Sequence, residues 1–150
     1  MRRSIAAALA LIAASSSAAQ TTIDLSTATP VAGTWTYTAT SDGSEAVFSN
    51  ATSPQLWVHC TKATRRVSIA KAATAAAPFL SVWTSSMTKE VPSSFNPATG
   101  RLSIEFANYD PLLDAISSSR GRIGFTAGTE PPLVVPAWAE AAHVIEDCRA

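Results

Sequence analysis

Gln55-Leu56-Trp57-Val58-His59-Cys60-Thr61 is the stretch whose reading decides the fold. Side chains on a strand alternate between its faces, so Leu56, Val58 and Cys60 share one side and Trp57 and His59 the other. One side is apolar and suits a core, and it carries a cysteine. The same period of two recurs on both flanks. Upstream, Val31 to Thr40 sets Trp35 and Tyr37 against Thr34, Thr36 and Thr38, and Glu45 to Ser49 follows around Val47 and Phe48. Between them Asp42-Gly43 reads as a tight hairpin turn in which glycine supplies a positive φ. Downstream, Val67 and Ile69 point inward in Arg65 to Lys71, with Arg66 and Ser68 outward. Leu80 and Val82 do the same in Phe79 to Thr84, and Leu102, Ile104 and Phe106 in Arg101 to Ala107. Short strands are expected through Ile123 and Phe125 and over Leu133-Val134-Val135. Met87 to Val91 reads as an edge strand blunted by Lys89, Glu90 and Pro92. Asn96-Pro97-Ala98-Thr99-Gly100 is a turn, and the alanine-rich patch from Ala70 to Ala77, closed by Pro78, reads as a loop.

Two helices are expected late in the chain. Asp110 can cap the first, with Pro111 at the first helical position, where its missing N–H costs nothing. Leu112, Leu113 and Ile116 form its buried stripe, over about 111–118. The second opens at Pro136 and runs to about Arg149, with Trp138, Ala141 or Ala142, Ile145 and Cys148 recurring every three or four residues on its core side. The sum is a β-rich α+β domain, an antiparallel β-sandwich or curled sheet with a short helix near 111–118 and a C-terminal helix over 136–149.

The N-terminus carries a different signal. Arg2 and Arg3 precede an apolar run from Ile5 to Ala14, then Ser15-Ser16-Ser17-Ala18-Ala19. This is the pattern of a cleavable secretory peptide, cut after Ala19. The run is about half the roughly 20 residues that a membrane span needs. The division expected is a signal over 1–19, a flexible threonine-rich leader over 20–30, and one domain over 31–150. The character of the signal is bacterial, which implies a periplasmic or secreted protein with no membrane span after cleavage.

In an oxidising compartment Cys60 and Cys148, the two cysteines of the chain, read as one disulfide. The alternative is two unpaired thiols, one of them reactive. A bridge would close a loop of about ninety residues and stabilise by up to about 4–5 kcal/mol through chain entropy. Both residues fall on apolar faces, so the bridge would pin the C-terminal helix to a central strand.

Composition argues against several functions. Acidic and basic residues balance, with 11 of each, and loss of Arg2 and Arg3 leaves a slightly acidic mature chain. No cluster of Lys and Arg supplies a phosphate-binding footprint, so no nucleic acid is expected. No Gly-x-Ser-x-Gly elbow accompanies the many serines, and His59 and His143 stand apart without His-x-His or Cys-x-x-Cys ligand spacing. No cofactor, metal or catalytic residue is assigned. Asp110 and Asp114 can be drawn as a carboxylate pair for glycoside hydrolysis, but capping and the helix dipole explain both better. Ser119-Arg120-Gly121-Arg122 is the most suggestive segment. It is either an anion-binding pair of arginines or a helix C-terminus carrying favourable positive charge. Of the four tryptophans, Trp57 is the one expected at the surface, beside His59.

From Arg101 to Arg149 the order of features is a strand, Asp110-Pro111-Leu112-Leu113-Asp114-Ala115, Arg120-Gly121-Arg122 opening a strand, then Leu133-Val134-Val135-Pro136-Ala137-Trp138 running into a helix that ends Glu146-Asp147-Cys148-Arg149. This third of the chain resembles small exported proteobacterial β-sandwich proteins of the invasion-associated locus B type, and exported alphaproteobacterial proteins with the same ending. The resemblance implies an exported, non-enzymatic β-sandwich and carries no catalytic residues. The leading expectation is a domain that binds an unknown protein or envelope partner, as a monomer or weak oligomer. The rival is a small-ligand binder using Trp57 and His59 with Arg120 or Arg122. An exported hydrolase is the third, and it requires His59 or His143 within reach of a serine and a carboxylate.

Overall fold

The structure, a computed structural model, describes residues 24–150. The expected signal peptide and residues 20–23 lie outside the described residues. Ten strands and two helices follow in the order β1 (Thr34–Ala39), β2 (Gly43–Ser49), β3 (Pro54–Thr61), β4 (Arg66–Ala72), β5 (Phe79–Trp83), β6 (Thr88–Pro92), β7 (Ser94–Asn96), β8 (Arg101–Ala107), α1 (Pro111–Ser117), β9 (Ile123–Thr126), β10 (Leu133–Val135) and α2 (Ala139–Asp147). They form a six-stranded sheet, β1-β2-β3-β4-β8-β7, and a four-stranded sheet, β10-β9-β5-β6. Every pairing is antiparallel. This is the expected β-rich α+β class.

The alternation read from the sequence governs the packing. Ala46, Phe48, Leu56, Val58, Cys60, Val67, Ile69, Leu102, Ile104 and Phe106 are buried on one face of the large sheet. They join Leu80, Val82, Ile123 and Phe125 of the small sheet, with Leu112, Leu113, Val144 and Ile145 of the helices, in one core. Asp110 caps α1 as expected, its carboxylate accepting from the Leu112 N–H at 2.9 Å with Pro111 behind it.

Several expectations are corrected. Gly43 has no positive φ. It closes the β1–β2 hairpin because a Cβ there would run into the Cys60 carbonyl oxygen on the neighbouring strand, so close approach and not turn geometry requires glycine. The C-terminal helix starts at Ala139, not Pro136, and ends at Asp147. Residues 136–138 stay extended because the Pro136 carbonyl accepts from the Trp35 indole N–H at 2.9 Å, and Trp138 becomes an extended N-cap. Trp138 therefore leaves the buried stripe and is half exposed, while Val144 takes a place in the core. Within the segment read as a flexible leader, Leu25 is buried and its side chain lies over Gly124. The strand β7, which pairs only with β8, was not expected.

Candidate functional site

The staple is the first expected feature that the fold assembles. Cys60 near the C-terminal end of β3 and Cys148 at the C-cap of α2 are bonded across 88 positions, with Cα atoms 5.5 Å apart. Both are buried. Around the bridge the end of α2 is fastened by side chains. The Asn108 amide donates to the Cys148 carbonyl at 3.0 Å, and the Arg149 guanidinium donates to the Asn108 carbonyl and to Asp114 at 2.9 and 2.7 Å. Asp114, drawn above as one half of a carboxylate pair, is thus an ion-pair partner between helices, and Asp110 is a cap that also meets Lys89 at 3.2 Å.

The four residues named for a ligand surface fall into two places. Trp57 and His59 lie outward on β3, whereas Arg120 and Arg122 precede β9 in the other sheet. Trp57 is half-buried beneath the Arg101 guanidinium, which stands 3.7 Å from the ring centre. The most exposed tryptophan is Trp138, not Trp57. The His59 Nε2–H donates to Asp42 at 3.0 Å, while Nδ1 faces Glu45 at 3.6 Å without a hydrogen bond. The two carboxylates sit on opposite sides of the ring, so they do not converge with it on one point. Hydrogen bonds from Thr40 and then His59 hold the Asp42 carboxyl below its ordinary pKa. Arg122 donates to the Ala28 carbonyl at 2.7 Å and so holds the segment before β1. The Arg120 main-chain N–H donates to Ser85, and its side chain is exposed. Among the described residues neither histidine hydrogen-bonds a serine, and no group of three His, Cys, Asp or Glu is placed to hold a metal.

Two arrangements escaped the sequence reading. Lys71, on the inner side of β4, is buried, and its ammonium donates to Glu130 at 2.8 Å and to the Ala72 carbonyl at 2.9 Å. Glu130 also accepts from the Thr74 N–H and hydroxyl at 2.7 and 3.0 Å. The Lys71 ammonium, followed by these Thr74 bonds, brings the Glu130 carboxyl down to about 2. An open cavity of about 380 Å³ lies beside the pair, lined also by Gln55, Gly100 and Pro131. The alternation of β4 does forecast an inward position 71, but a lysine there gives no clue to its partner.

The second arrangement is the free side of β1. Thr40 and Gly43 exchange both main-chain bonds, at 3.0 and 3.4 Å. In an antiparallel ladder, bonded and open positions alternate. Thr38, Thr36 and Thr34 therefore bond to β2, opposite Glu45, Val47 and Ser49. Trp35, Tyr37 and Ala39 turn their N–H and C=O groups away from the sheet, and no described residue takes them. Beside this edge the Tyr37 hydroxyl donates to Asp147 at 2.7 Å, and the His143 ring stacks on Tyr37 at 4.2 Å. The bond donated to Asp147 raises the Tyr37 pKa.

Fold and site together define a disulfide-stapled, two-sheet antiparallel domain with an uncharged edge strand, β1, open on one side among the described residues. No match is found among protein-family models, curated proteins or solved structures. No helix among the described residues is long and apolar enough to cross a membrane.

Proposed function

We infer that this chain is an exported, non-enzymatic β domain that works by holding a protein along β1, the partner adding an extended strand to the large sheet. The periplasm or the outside of a bacterial cell is the compartment that suits the N-terminal signal pattern and the staple. The resemblance to proteins of the invasion-associated locus B type points the same way.

The observation that carries the reading is the contrast between β1 and the other sheet edges. Exposed edges template unwanted pairing, and proteins blunt them with charge, proline, shortness or a cover. Here β6 carries Lys89, Glu90 and Pro92, β7 is three residues long, and the Val134 carbonyl of β10 accepts from the Val31 N–H at 2.8 Å. By contrast β1, Thr-Trp-Thr-Tyr-Thr-Ala, spans six residues with no charge and no proline. An edge left in that state suits recognition by strand addition, in which main-chain bonds give affinity and alternate side chains give selectivity.

A photo-reactive residue at Thr38, in cells that export the protein, tests this. A discrete adduct is expected, lost when Tyr37→Pro removes the outward N–H, and absent from the same probe at Thr64. If probes along β1 yield no adduct, the edge is not the working surface.

A further inference from the structure

We propose that the occupant of β1 is β1 of a second copy of this chain, paired antiparallel about a two-fold axis through Thr36. This rests on the reading of β1 as the working edge and names its partner.

The strand is complementary to itself. A two-fold axis perpendicular to the sheet keeps the outer face of one copy beside the outer face of the other, as an isologous interface requires. With Thr36 opposite its own copy, Thr34 meets Thr38 on one face, while on the other Trp35 stays buried against Phe48 and Tyr37 is the exposed aromatic. Threonine pairs across antiparallel strands are favourable. The outward main-chain groups agree with this register. Trp35 and Tyr37 both turn N–H and C=O to the open side, so each exchanges two bonds with the other's copy, and Thr36 falls at the non-bonded position between them.

Charge permits the approach. The strand carries no Lys, Arg, Asp or Glu, so self-pairing sets no like charges opposite one another. An adjoining apolar surface accounts for more than the main chain. Trp138 is 50 % exposed two residues after the Pro136 carbonyl that Trp35 holds, and Tyr37 is 36 % exposed on the strand itself. Joining two copies makes one continuous sheet and brings two such aromatic borders together. A six-residue edge with so small a border predicts a reversible dimer, not an obligate one.

Sedimentation of the oxidised mature protein over a range of concentrations tests the proposal. Twice the single-chain mass is expected at high concentration, falling to one on dilution. Thr36→Lys sets two ammonium groups opposite each other and is expected to weaken the dimer by about tenfold or more, while Thr64→Lys leaves it unchanged. Thr36→Cys gives a second readout that leaves the strand uncharged. The two Cα atoms of a non-bonded pair lie about 4.5 Å apart, within disulfide reach, so oxidised glutathione should join the copies through position 36. A single-chain mass at about 100 μM, far above the range of typical specific complexes, overturns the proposal. So does a dimer that ignores Thr36→Lys and gives no link through position 36. A monomer whose Thr38 probe still captures a different protein refutes the second copy and leaves the edge reading standing. A monomer with no adduct refutes both.

Discussion

Removing the charge of Glu130 should cost this fold more than removing the lysine it serves. The Lys71 side chain is 7 % exposed, and among the described residues its one acceptor beyond Glu130 is the Ala72 carbonyl. Glu130→Gln therefore leaves a buried ammonium without its counter-charge. Two routes give the size. Breaking a buried pair on one side costs about 3–5 kcal/mol. The fall of the Glu130 carboxyl from 4.5 to about 2 corresponds to about 3 kcal/mol, trimmed to about 2–3 because its side chain is 22 % exposed. Lys71→Met keeps the packed stem and leaves Glu130 bonded to Thr74 and partly wet, so a loss of about 1 kcal/mol is expected. The double variant should resemble Lys71→Met. Urea unfolding of the oxidised protein reads all three, with shifts of about 1–2 M for Glu130→Gln against about half a molar for Lys71→Met. The pH dependence has a fixed sign. A carboxyl whose pKa is lower in the folded state binds fewer protons when folded, so its contribution is complete above about 4.5 and fades as pH falls towards 2. The gap between wild type and Glu130→Gln should narrow over that window. Equal losses for the two single variants, or a gap that persists at pH 2, would refute this account of the pair.

Alkylation before and after reduction, read by intact mass, should find Cys60 and Cys148 blocked until reductant is added. Reduction should lower the unfolding free energy by about 4 kcal/mol, an upper figure for a bridge spanning 88 positions. Gly43→Ala should cost about 3 kcal/mol or more because the new methyl meets the Cys60 carbonyl. Gly121→Ala, with φ at 78° and open space around it, should cost only about 1 kcal/mol of backbone strain. Thermal unfolding separates the two. Trp138→Ala should weaken the proposed dimer in sedimentation, while its half-covered ring limits the cost to the monomer to about 2 kcal/mol.

Strands β2, β3, β5 and β8 were legible because one face of each is buried, which prints a period of two on the sequence. Leu56, Val58 and Cys60, or Leu102, Ile104 and Phe106, show it without ambiguity. The first turn of α1 was legible because its cap is local, two residues from the N–H it satisfies. Features settled by distant partners were not. Pro136 has every local qualification to open a helix, but the Trp35 indole, 101 positions away, claims its carbonyl and keeps 136–138 extended. Gly43 beside Asp42 looks like a turn glycine, yet its requirement comes from Cys60 on another strand. The candidate ligand surface drew together Trp57, His59, Arg120 and Arg122 by residue type alone. The topology divides them between two sheets. The open edge was illegible for a related reason, because whether Thr34–Ala39 is central or terminal depends on strand order.

The staple and the open edge belong to one mechanical argument. A C-terminal helix of nine residues is a loose element unless tied down. Here α2 is tied at its end by Cys148 to β3 and by Asp147 to Tyr37 on β1, and along its side by His143 stacked on the same Tyr37. The strand in turn grips the approach to α2 through Trp35 and Pro136. Among the described residues β1 has a neighbouring strand on one side only, so these helix contacts substitute for the second neighbour in holding it straight. Cutting the disulfide should therefore loosen β1 as well as α2, although neither cysteine lies on β1. Amide exchange at Trp35, Tyr37 and Ala39, already open, cannot report this; exchange at Thr34, Thr36 and Thr38, bonded to β2, can. Faster exchange at those threonines on reduction, with β4 and β8 unchanged, is the expected pattern. Protection that stays uniform across the sheet would mean that β1 holds its shape without the helix.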